Sequence, residues 1–372
     1  MNIIKQNLLS FTLSFFCIWI LSSCQTTPNS NQEENFSYTK VAILLPLTGP
    51  DAQPSQEYIR MVKAGLRDGA KKGIRVSSYD SSTPELLNKS LDKIIDSGTD
   101  IIIGPIYTSP TKIVAKKIKN KSAIAISLSN NPNLAGKQLY VFGHQPMKQL
   151  QELIRYSLSE NYDSYVTLLP SGQWSNRTNK IISELVKSHN KKLVGMEFYN
   201  DDDIESINQA VAKTASLVDE INENDKSLYK PVIILSDDSY NLDKLINVVK
   251  SYQIDKKAII LSDNRINFGI QDSVDVVYTG SINLIEQNFL EMANHENIKN
   301  ISFMHILAYD AGKMVGINIG EKYNREEFCA RMNSSKFKGF AAQETYFTDN
   351  IAQRKYQIIK KKDNQFRVLL VK

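Results

Sequence analysis

Cysteine and histidine are scarce in this sequence: three of one and four of the other among 372 residues. A bridge within the chain needs two unmodified cysteines. Cys17 lies inside an apolar leader and Cys24 at its edge, so only Cys329 is left for the body of the protein. In "REEFCARM" it falls at helical spacing beside Phe328 and Met332, which marks it as a small core residue. The four histidines, His144, His189, His295 and His305, are scattered, and no HExxH pattern occurs. Metal sites and catalytic triads need clustered His, Cys or carboxylates, so no catalytic residue, metal ligand or cofactor is expected. The GxSxG, GxGxxG and GxxxxGK[ST] patterns are missing as well. "NDDD" at 200–203 and "SDDS" at 236–239 lack the glycine and closing glutamate of a calcium loop and read as turns and helix caps. After residue 21 no apolar run is long enough to span a bilayer.

Charge excludes another class. Lys and Arg number 45 and Asp and Glu 40, a net +5 that falls to +4 without Lys5. The basic residues are interspersed with acidic ones. No basic stripe carries base-stacking aromatics, so nucleic acid is not an expected partner.

The first 23 residues have the layout of an export signal. Lys5 precedes a mostly apolar run from Leu8 to Leu21, too short to cross a membrane as a helix. Leu21-Ser22-Ser23-Cys24 resembles a bacterial lipobox, which implies lipidation at Cys24 as the signal is removed. Each buried methylene of an acyl chain contributes about 0.8 kcal/mol of membrane affinity. Gln25 stands where such lipoproteins carry Asp for inner-membrane retention, so the outer membrane is the expected address, with the membrane met through the anchor alone. Residues 24–38 are rich in Asn, Gln, Ser and Thr and read as a flexible tether.

From residue 39 onward, strand-like and helix-like segments alternate. "VAILLPL", "IRVSSYD", "DIIIGP", "SAIAISLSNN" and "LYVFGHQP" read as strands. Between them lie amphipathic helices such as "SQEYIRMVKAGLRDGAKKG" and "TPELLNKSLDKIIDSG", the latter capped by Thr83, opened by Pro84 and closed on Gly98. The pattern restarts with "SYVTLLP" and continues through "KLVGMEFY", "KPVIILSDD", "KAIILSD" and "DVVYTGS". Continuous apolar strands separated by helices predict α/β architecture, two doubly wound lobes with parallel sheets covered on both faces. "GFAAQETYFTD", "RKYQIIKKK" and "QFRVLLVK" alternate like antiparallel strands and predict a small C-terminal β region. The expected lobes are residues 39–143 with 283–335, and 144–282 with 336–372.

Ligands of doubly wound sheets lie beyond the carboxyl ends of the strands. The candidate loops there carry Thr48-Gly49, Asp80, Tyr107-Thr108-Ser109, Ser129-Asn130, Ser236 and Asp263. Thr108 and Ser109 open a helix, whose free N–H groups and dipole favour an anion such as a carboxylate. Asp263 or Asp80 would face an ammonium. Small polar residues here also serve as turn formers and caps; the convergence of several loops on one crevice is the argument for a site.

"VAILLPLTGP", "DIIIGPIYTSP", "IAISLSNNPNLAG", "LYVFGHQP" and "VTLLPSGQWSNR" follow one another as in type I periplasmic binding proteins. More narrowly, they resemble the penicillin-binding-protein activator lipoproteins. The resemblance implies two lobes joined by three crossovers, with a cleft between them. It also implies ligand contacts at Thr108, Ser129 and Asn130, with Tyr240 and Asp263 from the second lobe. The expected function is a non-catalytic periplasmic lipoprotein that regulates peptidoglycan synthesis by binding a penicillin-binding protein or another envelope protein. The alternative is the solute receptor of an ABC transporter for amino acids or similar small molecules.

Overall fold

A computed structural model describes residues 38–70, 73–224, 230–236, 242–263, 274–282, 289–299, 301–362 and 365–370. Cys24, the signal, the tether before Tyr38, and Tyr240 lie outside the described residues.

The first lobe is a seven-stranded sheet. Its parallel part runs through β1 (Thr39–Leu45), β2 (Ile74–Asp80), β3 (Ile101–Ile103), β4 (Ile124–Ser127) and β5 (Leu139–Val141). The intervening helices are α1 (Ala52–Gly69), α2 (Pro84–Asp96) and α3 (Thr108–Lys117). Successive side chains of a strand leave opposite faces, and β1 divides its residues accordingly. Val41, Ile43 and Leu45 join one core, while Ala42 and Leu44 join another with Leu87, Leu91 and Ile94 of α2 and Val114 of α3. This explains the unbroken apolar run of β1, which has no solvent face. The predicted ends of α2 are present: the Leu86 amide donates to Thr83 Oγ1 at 3.2 Å, and Gly98 has φ +66°.

The second lobe repeats the plan. After α4 (Pro146–Ser159) come β6 (Ser164–Pro170), α5 (Gln173–Ser188), β7 (Lys192–Tyr199), α6 (Ile204–Asn224) and β8 (Val232–Leu235). Then follow α7 (Leu242–Ser251), α8 (Ile254–Lys257), β9 (Ile259–Ser262) and β10 (Val276–Gly280). Val166, Leu168 and Ile233 pack under α6, and Tyr165, Val232 and Ile234 under α4 and α5. The chain then returns to the first lobe as α9 (Phe289–His295), α10 (Phe303–Asn318) and α11 (Arg325–Ser334).

The end of the chain forms the expected antiparallel strands and corrects one expectation: residues 336–355 do not belong to the second lobe, because the β region is shared between the two sheets. β11 (Glu344–Thr348) and β12 (Ile351–Lys355) extend the first sheet, giving the order β11-β12-β5-β4-β3-β1-β2. β13 (Gln357–Lys362) and β14 (Gln365–Leu369) extend the second, in the order β14-β13-β10-β9-β8-β6-β7. "RKYQIIKKK", read as one strand, is divided at Tyr356. The cause is anchoring on both sides: Arg354 is bonded to the carbonyls of Phe142 and Gly143, whereas Ile358 and Ile359 are buried in second-lobe cores. The chain therefore passes between the sheets three times, after β5, β10 and β12.

α10 is apolar on nearly every side and buried along most of its length. Its contact with α1 is close enough to exclude side chains. A Cβ on Gly65 would lie 2.1 Å from the Tyr309 carbonyl oxygen, and one on Gly312 would lie 2.2 Å from that of Val62. Backbone lies against backbone, and no rotamer change opens the space. Helix propensity alone predicts that Gly→Ala stabilises by about 1 kcal/mol. Packing predicts the reverse sign, since overfilling a core costs about 1–3 kcal/mol or more. Gly65→Ala and Gly312→Ala are each expected to lower stability by about 2 kcal/mol or more in denaturant unfolding; a rise in stability for either would contradict the close crossing.

Candidate functional site

The carboxyl ends of β1, β2, β3 and β4 share one edge of the first sheet, and β5 passes from that edge into the second lobe. The loops there face the second lobe across the crossovers. Asp80, the last residue of β2, organises two of them. One carboxylate oxygen accepts the Leu47 amide at 2.9 Å and the Ser82 amide at 2.8 Å. The other accepts the Thr48 hydroxyl at 2.9 Å, and Thr48 and Ser82 share a hydroxyl contact of 2.6 Å. Burial, the largest single effect on this carboxyl, acts to raise its pKa, but the hydrogen bonds from Leu47, Ser82 and Thr48 together hold it below the ordinary value of 3.8. Asp80 is thus engaged by its own loops. Gly49, next to Thr48, is exposed.

α3 begins at Thr108, and no side chain caps it. The Thr108 hydroxyl lies 3.3 Å from that of Ser129, which is buried and also accepts the Asn131 amide at 3.3 Å. Ser109 and Asn130 are exposed beside this pair. The Tyr107 phenol donates to Asp51 at 2.9 Å, and its pKa is pushed up to about 12 by burial and by that carboxylate. Ser129 is held from behind: a Cβ on Gly143 would come within 2.1 Å of its carbonyl oxygen. Gly143 therefore has to be glycine for the first crossover to lie against the loop. The glycine of "FGHQP" is the sequence signal for that approach.

In the second lobe Ser236 and Asp263 follow β8 and β9. Both are buried, and the Ser236 hydroxyl donates to Asp263 at 2.6 Å. The charge of Asp263 bears on Tyr356 at the third crossover, where burial and Asp263 raise the phenol pKa and the Arg354 guanidinium opposes them. Of the expected residues, the structure brings Thr108 to Ser129. It sets Thr48 on Asp80, Tyr107 on Asp51, and Asp263 on Ser236.

Three hinge residues escaped the sequence reading. Arg354, mostly buried, donates to the Gly143 carbonyl at 2.8 Å and to the Phe142 carbonyl, with its guanidinium 4.7 Å over the Phe142 ring. Tyr356 lies in the link between β12 and β13. Asp310 on α10 accepts the Phe340 amide at 2.9 Å and the Ala341 amide at 2.8 Å. Burial pushes its carboxyl up to about 6 against those bonds and the charges of Arg354 and Lys313. The signal for Arg354 was its phase: it shares the inward face of β12 with Ala352.

Over its length the chain is 38% identical to the uncharacterized protein RP748 of Rickettsia prowazekii (strain Madrid E), across 98% of each protein. It belongs to that protein's family. No family model matches it. Among solved structures it is similar to a branched-chain amino acid ABC transporter periplasmic ligand-binding protein from Burkholderia xenovorans LB400. The TM-score is 0.66 at 11% identity, over 89% of this chain and 94% of the other. A Rhodopseudomonas palustris solute-binding protein in complex with benzoate gives 0.62 at 13% identity, over 89% and 95%. Full-length LpoA from Haemophilus influenzae also gives 0.62 at 11% identity, over 90% of this chain and 59% of LpoA. At these identities the likeness is one of fold, the two-lobed fold of type I periplasmic binding proteins. The first two of these neighbours are ligand-binding proteins of ABC transporters. No helix among the described residues is long and apolar enough to cross a membrane.

Asp80→Asn is expected to cost about 1–3 kcal/mol at pH 7, because the amide group cannot accept all three bonds. A carboxyl with a depressed pKa contributes stability that is present above its unfolded value and lost as the pH falls. The gap between wild type and Asp80→Asn should therefore close below pH 3.8, read from unfolding curves at pH 7 and pH 3. A gap independent of pH would contradict the assigned role.

Proposed function

We propose that this chain is a non-catalytic lipoprotein of the bacterial cell envelope, anchored at Cys24, that regulates peptidoglycan synthesis by contacting a penicillin-binding protein. The observation that carries this reading is the closure of the first-lobe loops on one another. Thr48 and Ser82 are bonded to Asp80, and Tyr107 to Asp51. A solute receptor needs charged groups left open to its ligand, since unmet polar groups in a cleft are what give it selectivity. Here Asp80 is satisfied within its own lobe, and Asp263 is buried against Ser236. The loops form a preset surface, as suits contact with another protein. The resemblance of "VAILLPLTGP" and "DIIIGPIYTSP" to the activator lipoproteins supports the reading, as does the shared fold with LpoA.

A second reading, an ABC-transporter solute receptor, is favoured by one feature. The Thr108–Ser129 hydroxyl pair at the uncapped start of α3 is the chemistry that holds a carboxylate. Thr48, Gly49, Ser109 and Asn130 would line that site on the first lobe.

Two measurements separate these readings. Immobilised protein is expected to retain purified bifunctional penicillin-binding proteins and to change their glycan polymerisation rate; neither effect would sink the first reading. Thermal unfolding across a panel of amino acids and small aromatic acids is expected to be flat. A true ligand at 100 times its dissociation constant would add about 2.7 kcal/mol, and such a shift would transfer support to the receptor reading.

A further inference from the structure

β7 is an edge of the second sheet and pairs only with β6 among the described residues. Its outward backbone groups are therefore open to another strand. On the groove side Met196 is 52% and Phe198 37% exposed, and Val194, at the register shift of the strand, is 41% exposed. Between α5 and this strand runs a groove of about 510 Å³ whose floor includes Met196 and Phe198. Asn179 lines it from α5. Asn179 is only 4% exposed, yet neither its amide oxygen nor its nitrogen has a hydrogen-bond partner. A buried amide left unmet in this way is costly, and it lies in the wall of this groove. Lys180 and Lys187 stand on the same wall beside a single Glu184, and neither lysine forms an ion pair among the described residues.

The first lobe supplies an internal comparison. The equivalent groove between α1 and edge strand β2 is lined by Lys63, Leu66, Arg67, Ile74 and Val76. There Ile74 and Val76 are half-buried and Arg67 is paired with Glu296, and no buried polar atom of the lining lacks a partner. The two grooves are of similar size, about 510 and 450 Å³; what differs is that the strand residues of the first lobe are better covered and that only the second-lobe lining holds an unmet buried amide.

We propose that the α5–β7 groove binds an extended segment of a partner protein, which adds as a strand to β7. Strand addition gives affinity through the main chain and selectivity through alternate side chains. The segment's groove-facing side chains would be apolar over Met196 and Phe198, with a carboxylate on the same face reaching Lys180 or Lys187. Charge argues against a second copy of this chain. Two-fold pairing of β7 with itself would set the Lys180 and Lys187 pair of one copy near that of the other, with no added carboxylate to meet them. The proposal does not depend on the function proposed above.

The test uses three N-acetylated, C-amidated heptapeptides titrated into the protein and followed by amide chemical shifts and calorimetry. The first is Asp-Ser-Val-Ser-Val-Ser-Asp, the second carries Lys at both ends in place of Asp, and the third has Pro at the central Ser of the first. The first peptide is expected to shift β7 amides and the Asn179 side chain. It should bind at least about fivefold tighter than the Lys peptide, as two lysine–carboxylate contacts allow, while the Pro peptide should lose affinity. The double variant Lys180→Glu, Lys187→Glu should invert the charge preference. Absence of binding at millimolar concentration, equal binding of both charge forms, full affinity of the Pro peptide, or shifts confined to other surfaces would each overturn the proposal. So would a dimer in sedimentation that is abolished by Met196→Glu, because a second copy would then be the occupant.

Discussion

One buried guanidinium ties the starts of two crossovers together. Arg354 closes the end of the first sheet by bonding to Phe142 and Gly143, the two residues through which the chain first leaves that lobe. Two residues later the chain itself leaves for the second lobe. The first and third crossovers are thus tied where they start. Taking such a charge out of water costs several kcal/mol unless hydrogen bonds and an opposing charge offset it. Here two carbonyls, the Phe142 ring face, Tyr356 and the field of Asp310 provide the offset. Lysine could not reproduce this, because one ammonium cannot present the planar fork that meets two carbonyls. Asp310 is held in turn by the Phe340 and Ala341 amides, so the segment leading into β11 is fixed by the same network.

The constraint reaches the candidate site through Gly143. That residue lies against the Ser129 carbonyl, and Ser129 carries the hydroxyl facing Thr108. A displacement of the first crossover would therefore move the loop after β4. Asp263 and Tyr356 extend the chain of influence into the second lobe. Asp310 and Asp80 respond to pH with opposite signs. The raised pKa of Asp310 favours the folded state most below the unfolded value, and that contribution is lost as the pH rises through about 6. The depressed Asp80 contributes above its unfolded value. The hinge and the loop clamp are thus favoured at different ends of the acidic range.

Much of the fold was legible because its determinants are local. β1 reads as a fully buried strand from its apolar run alone, and α2 is bounded by Thr83, Pro84 and Gly98 as the sequence pattern requires. The candidate loops follow from strand order, since the ends of parallel strands share an edge. What was not legible depends on partners far away in the chain. Asp80 looked available for an ammonium because nothing in "YDSST" shows that Leu47 and Thr48 return to it. The division of "RKYQIIKKK" at Tyr356 depends on carbonyls more than 200 residues earlier. Likewise helix propensity alone would mark Gly65 and Gly312 as costly, while in the structure they are what lets the helices touch.

The two lobes also show how one plan can acquire different surfaces. Each begins with a buried strand, a helix and an edge strand, and each leaves a groove between the last two. In the first lobe the strand residues facing the groove, Ile74 and Val76, are half-covered, and on the helix side Arg67 reaches Glu296 just after α9, an element of the returning chain. Among the described residues the second lobe receives no comparable return on that side: its late additions, β13 and β14, join the opposite edge of the sheet, beside β10. Val194, Met196 and Phe198 therefore stay exposed for a topological reason, not because the strand is less apolar. An edge left open by the path of the chain carries exposed apolar side chains, and the groove beside it carries one unmet buried amide, Asn179. That combination is the physical argument for a partner at β7, independent of whatever the cleft between the lobes receives.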